Sequence, residues 1–240
     1  MQQPQGSESR VGPLAQFVTR RDERGLDAYL FIHALASADP WTCTYPSQTW
    51  SRVLNLGSSC DEGSAKAAVS KVLKRLEDRK LISRRRTGRR TEVTLLLEDG
   101  SGATYTRPKA ASDGLWLNLP YAYWEGGFYK NLSLPAKAML LIGCSLAHDF
   151  VLPQERMPGW YGISPDTAAR GLNELRAADL LNTRDEFVRD HKVPTGWRQV
   201  KHHQLRKPFD LGSRNAAKTV GRRRRGTAEP KEELTATETA

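Results

Sequence analysis

Along residues 163–181, the apolar positions Ala168, Leu172 and Leu175 recur at spacings of four and three, one stripe of a 3.6-residue period. Asp166, Arg170 and Asn173 fall on the opposite side, so the pattern predicts an amphipathic helix. Ser164 followed by Pro165 marks its start: the serine oxygen can accept an orphan backbone N–H, and proline at the first helical position has no N–H to leave unpaired. Upstream, residues 153–162 (PQERMPGWYG) have the length of a short helix and turn. Downstream, 182–189 and 197–205 are strand-like runs joined by a turn through Val193, Pro194, Thr195 and Gly196.

The same pattern occurs once more. Sliding the chain by 99 residues lays Val69 on Ala168, Leu73 on Leu172, Leu76 on Leu175, Leu81 on Leu180, Ile82 on Leu181 and Lys71 on Arg170. The packing stripe is kept, and so is a cation on the outer face, which predicts two similar units. In the first, 26–37 is apolar on most sides and reads as a central helix with His33 packed into the core; 41–45 reads as a strand. Ser47 caps a helix reaching about Leu54, and Ser59 with Glu62 fits a capping box opening the next helix. That helix buries Val69, Val72, Leu73 and Leu76 and exposes Lys66, Ser70, Lys71 and Lys74. Residues 82–86 and 91–97 then read as a β-hairpin with Arg84, Arg85, Arg86, Arg89 and Arg90 around its tip. In the second unit a short strand at 115–120 and the aromatic run 121–129 precede a helix started by Ser133 and Pro135. The aromatics read as packing between the units. The small strand at 150–152 completes a repeated order of helix, strand, helix, helix, strand, strand.

The chain of 240 residues accommodates two domains of ordinary size. Residues 1–24 lack periodicity and read as a disordered arm, 25–98 as the first domain, 99–114 (rich in Gly, Ser, Pro and charge) as a linker, 115–210 as the second domain, and 211–240 as a disordered tail. No run of about 18 apolar residues could span a membrane and no secretory leader is visible at the start, so the expectation is a cytoplasmic, nucleoid-associated protein. Cys43, Cys60 and Cys144 are scattered, without zinc-ligand spacing; reduced thiols and no metal or other cofactor are expected. Formal net charge is +10, and residues 226–240 carry four Glu against one Lys, leaving +13 on the rest. Such an excess favours a polyanionic partner. The second hairpin is milder than the first, with Lys192, Arg198 and Lys201 beside Asp185, Glu186 and Asp190, and GRRRRG at 221–226 is a compact cationic block.

Helices of this kind (AVSKVLKRLEDRKLI at 68–82, TAARGLNELRAADLL at 167–181), each followed by a hairpin, resemble the winged helix-turn-helix DNA-binding domains of bacteria, here in tandem. The resemblance covers roughly 26–97 and 115–209 and implies an α+β, mainly α fold of two winged helix-turn-helix domains with flexible termini. It implies that the third helix of each unit enters the major groove while the wing contacts backbone or minor groove. Ser70, Lys71 and Lys74, and Thr167, Arg170 and Asn173, would then face DNA. Both units depart from the family pattern where glycine often ends the helix, having Lys80 and Asp179. Arg170 and Asn173 suit bidentate reading of guanine and adenine, and the wing cations suit phosphates. The expected function is a sequence-specific transcriptional regulator of double-stranded DNA without an evident small-molecule effector. The alternative is a plasmid or phage replication initiator binding origin repeats; dimerisation through one unit is compatible with either. A nickase reading rests only on His202 and His203, whose adjacent positions point to opposite faces of a strand. With no phosphate-binding loop and no convergent carboxylates, no enzyme activity is expected.

Overall fold

The computed structural model describes residues 12–56, 61–88, 90–108 and 117–215. Its architecture is α+β, with two small three-stranded antiparallel sheets. The first unit contains α2 (Glu23–Leu35), β1 (Thr42–Pro46), α3 (Ser47–Val53), α4 (Glu62–Asp78), β2 (Ile82–Thr87) and β3 (Arg90–Leu95), preceded by α1 (Pro13–Thr19). In the second, α5 (Ala122–Glu125) and α6 (Phe128–Asn131) lead into α7 (Leu134–Ser145), β4 (Phe150–Val151), α8 (Met157–Tyr161), α9 (Pro165–Ala177), β5 (Leu181–Arg189) and β6 (Trp197–Leu205). The sheets run β1-β3-β2 and β4-β6-β5, so the last strand of each unit lies between its two partners in both.

The 99-residue correspondence is a correspondence of burial. Val69, Leu73, Leu76, Leu81 and Ile82 are buried, as are Ala168, Leu172, Leu175, Leu180 and Leu181, while Lys71 and Arg170 are exposed. It extends to the backbone. Lys80 and Asp179, the positions where glycine was missing, both turn left-handed, at φ 56° and 58°. Beside them the Leu81 N–H donates to the Leu76 carbonyl (3.1 Å) and the Leu180 N–H to the Leu175 carbonyl (2.9 Å), so each helix ends in the same hydrogen-bonded turn. A hairpin therefore starts within four residues of each helix end and folds back beside it.

Caps explain the helix starts, with two differences from expectation. Ser164 accepts the Thr167 N–H at 3.2 Å, and Ser133 caps α7. At α4 the capping residue is Asp61, which accepts the Ser64 N–H at 2.9 Å; the Ser59 half of the expected capping box lies outside the described residues. Ser47 is the first residue of α3, whose N-cap is Pro46.

The segments expected to be unstructured are partly folded. The predicted arm contains α1, because Ala15 is buried, Phe17 enters the first core and Asp22 caps α2. The predicted linker packs as far as it is described: Tyr105 is buried, and Arg107 lies 4.6 Å over the Trp41 ring while donating to the Ala36 carbonyl. Residues 211–215, expected in the tail, are helical, with Arg214 buried and donating to the Cys144 carbonyl. Residues 117–120, in contrast, form no strand.

Two hydrophobic clusters form the core, and they meet. Leu134 and Leu141 of α7 belong to the first cluster, and Leu14, Leu30 and Leu119 pack against both. Trp124 meets Phe31 edge-on at 5.5 Å, which places the aromatic run at the junction of the units. α7 and α9 approach so closely that a Cβ on Gly171 would lie 2.4 Å from the Pro135 carbonyl oxygen; the corresponding residue of the first unit is Val72. His33 sits between the Tyr29 and Tyr105 rings, as a core histidine. No helix among the described residues is long and apolar enough to cross a membrane.

Candidate nucleic-acid interface

In each unit the second helix of the pair (α4, α9), the segment before it and the following hairpin enclose a cleft. In the first unit Ile82 and Leu95 are buried, so Arg84 and Arg86 share their face of the ribbon, toward α4; Arg85 and Arg90 alternate to the other face, and their side chains reach the rim of the same cleft. Arg84 is three-quarters buried and fixed: its Nε donates to Glu77 at 2.7 Å and its Nη1 to the Ser70 carbonyl at 3.1 Å. It anchors the wing to α4, and in that pose it is not the free phosphate ligand that charge counting predicts. Arg85 is largely exposed but paired with Glu92 at 3.0 Å, and Arg86 donates to the Gly88 carbonyl.

The first cleft, about 500 Å³, is lined by Ser47, Lys66, Ser70, Arg84, Arg86 and Arg90 among others, and among the described residues no carboxylate lines it. A concave wall of one sign focuses potential toward an anion. Of the lysines on α4, Lys66 pairs with Glu62 (2.6 Å) and Lys74 with Asp78 (3.0 Å) along the helix surface; Lys71 is exposed and makes no ion pair among the described residues. Such exposed pairs hold their partners weakly, at about 0.3–0.5 kcal/mol, so both lysines remain available to a phosphate. Arg89 lies outside the described residues, as does the GRRRRG block.

The second cleft, about 430 Å³, is mixed in charge. Asn173, Arg176, Arg198 and Lys201 face Glu155 across an apolar floor that includes Leu172. Asn173 accepts a hydrogen bond from Arg176, which the sequence reading missed although it lies one turn along the same helix. Arg170 and Thr167 sit outside the cleft on the exposed start of α9, with Arg170 resting on Asp166 (3.2 Å) and Thr167. Arg198 pairs with Asp190 at 3.2 Å, and Lys192 stands on the hairpin turn. Sequence reasoning also passed over Phe187, Arg189 and Trp197 on this hairpin. The signal was present: two aromatics stand in strand halves otherwise dominated by charged and polar residues, with no alternating apolar partners to carry them into a core.

The two histidines of β6 separate as strand alternation requires. His203 is buried, its Nδ1 3.0 Å from Thr183 Oγ1, and burial beside Arg176 and Lys201 pushes its pKa down to about 4. His202 lies on the outer face between Asp149 (3.1 Å) and Glu186 (3.0 Å). Arg184, 2.7 Å from Asp149, holds that carboxyl below its usual range. Burial raises the Cys43 thiol to about 11 and the Cys144 thiol to about 12, so neither forms a thiolate at neutral pH. Among the described residues no group of three or more His, Cys, Asp or Glu side chains could hold a metal ion.

No family model, curated protein or solved structure matches the chain.

Proposed function

We propose that the chain is a sequence-specific double-stranded DNA-binding protein made of two winged helix-turn-helix units, acting as a transcriptional regulator. The observation that carries this reading is the repeated pair of an exposed polar helix face and a hairpin folded beside it, with a carboxylate-free cationic cleft in the first unit. The first unit supplies affinity: Lys66, Lys71, Lys74, Arg86 and Arg90 neutralise phosphates, with Arg84 holding the wing in place. The second supplies sequence preference through Arg170 and Asn173, whose side chains leave intrahelical partners to reach base edges. The shared core sets the distance between the two helices. A replication initiator of a plasmid or phage is the second reading, favoured by one observation, the aromatic-bearing hairpin of the second unit.

Binding constants on selected and random duplexes test the division of labour. Arg170→Ala should cost about 1–3 kcal/mol at one base position and little on random DNA. Arg86→Ala and Arg90→Ala should weaken all sequences alike and each reduce the salt slope by about one unit. Equal losses for Arg170→Ala on specific and random duplexes would refute base reading, and an unchanged slope would remove the first wing from the interface.

A further inference from the structure

Phe187 and Trp197 are large apolar side chains left 66% and 53% exposed on the hairpin of the second unit. Register places them together. Phe187 pairs with Gln199 and Arg189 with Trp197, so Phe187, Arg189, Trp197 and Gln199 occupy one face of the ribbon, the two rings on a diagonal about 7–8 Å apart at Cα. This is the face that carries Leu181, Leu205 and His203 into the core and Gln199 and Lys201 into the cleft beside α9. β4 pairs only with His202 and His203. From there outward the hairpin is two-stranded, and five residues at about 3.3 Å each carry Trp197 roughly 17 Å beyond the sheet.

Charge decides what such a surface fits. Between residues 184 and 201 there are five Lys or Arg and three Asp or Glu. Two of the acids are already engaged, Asp190 by Arg198 and Glu186 by Arg184 and His202; the third, Asp185, stands opposite Lys201 at the base of the ribbon, away from Arg189 and Lys192 near the tip. Arg189 lies 5.8 Å from the centre of the Trp197 ring, and Lys192 and Lys201 are exposed and make no ion pair among the described residues. A second copy docked on this face would set these cations against their own kind. A chain that offers flat apolar rings and a phosphate at every step satisfies both features, with aromatic stacking tolerant of base identity.

Resting on the DNA-binding reading above, we infer that the second hairpin stacks Phe187 and Trp197 on unpaired bases, so that the protein prefers duplex DNA with an adjoining single-stranded segment over fully paired duplex. Paired bases bury their faces against each other and leave nothing for the rings. At a fork, unpaired bases can follow the cationic ribbon from the cleft to its tip, while α4 and α9 stay on the duplex.

Fluorescence anisotropy of the full chain on three probes tests the inference: a blunt 30-bp duplex, the same duplex with unpaired 15-nucleotide arms, and a 15-nucleotide oligothymidine. These lengths, about three helical turns and one single-strand site, suffice for both modes. The wild type should bind the forked probe roughly tenfold or more tightly than the blunt one. Trp197→Ala and Phe187→Ala should each reduce forked-probe affinity about 5- to 150-fold, leave blunt-duplex affinity within about twofold, and be partly rescued by Trp197→Phe. Equal affinity of the wild type for forked and blunt duplexes would overturn the inference while leaving duplex binding intact. So would an equal loss on both probes in Trp197→Ala, or loss of self-association with the fork preference unchanged. Failure of the wild type to bind any of the three probes would overturn the DNA-binding reading itself.

Discussion

Lys137→Met is expected to lower the free energy of unfolding by about 3–5 kcal/mol, the cost of leaving a buried charge without its partner. Lys137 is fully buried on α7, in the second unit, and its ammonium donates to two carboxylates of α2, in the first: Glu23 at 2.7 Å and Asp27 at 2.9 Å. Glu23 is half exposed and can turn to water. Asp27 cannot: it is buried, and burial raises its pKa to about 6 even against the pull of Lys137. The double variant Lys137→Met with Asp27→Leu removes both charges and should recover most of the loss, since apolar replacements of a whole buried pair are often neutral or better. Urea denaturation of the four proteins of this cycle checks the expectation. Additive losses would mean that the ion pair does not couple the units.

Acid should destabilise the wild type and stabilise a variant without two of its histidines. Burial drops the pKa of His33 and His203 from about 6.5 to about 4. The unfolded chain therefore takes up protons before the folded one, and the contribution is full above pH 6.5 and lost as pH falls toward 4. From pH 7 to pH 4.5 each histidine accounts for about 2–3 kcal/mol of lost stability. Asp27 works in the opposite sense. Raised from 3.8 to about 6 in the fold, it binds its proton first in the native state and returns about 2 kcal/mol over the same interval. The wild type should thus lose about 3 kcal/mol, and His33→Gln with His203→Gln should gain about 2. Parallel pH profiles for the two proteins would show that neither histidine is held neutral by the fold.

Much of this architecture is written in local pattern. The Ser164-Pro165 start, the stripe of Ala168, Leu172 and Leu175, and the hairpin ending at Leu205 all rest on short-range rules, and the structure places them where those rules do. The repeat at 99 residues adds a check that local rules lack, and it reaches as far as the left-handed Lys80 and Asp179. What escaped is held by contacts remote in sequence. α1 is seven residues long and buries only two of them, too few for periodicity to register. Lys137 shares the face of Leu134 and Leu141, one turn from each, but nothing local names its partners, which are 110 and 114 residues away. Asp22 shows the same limit. It caps α2 through Gly25, where a Cβ would lie 2.3 Å from the carboxylate, and it binds Arg75 of α4 and Arg79, the residue that ends that helix, both at 2.7 Å. Arg79 is nearly fully buried in that pair, although it counts as one more surface cation in the sequence. The 99-residue counterpart of Arg75 is Glu174, which binds Ser133, the cap of α7, so both units tie this helix position to the cap of their first core helix with reversed polarity. Arg84 was visible as charge, but its role follows from register: one residue earlier or later along β2, and it would face solvent.

Titration of a fluorescent 30-bp duplex with the full chain, repeated from about 50 to 200 mM salt, tests most directly whether the two helix–hairpin pairs lie on DNA. With six or more phosphates engaged, affinity should fall roughly a thousandfold or more across that range, and Lys71→Glu with Arg170→Glu should bind far more weakly at every salt concentration with a shallower slope. No retention of the duplex at the lowest salt, or a charge-reversed variant that binds as tightly as the wild type, would contradict the account.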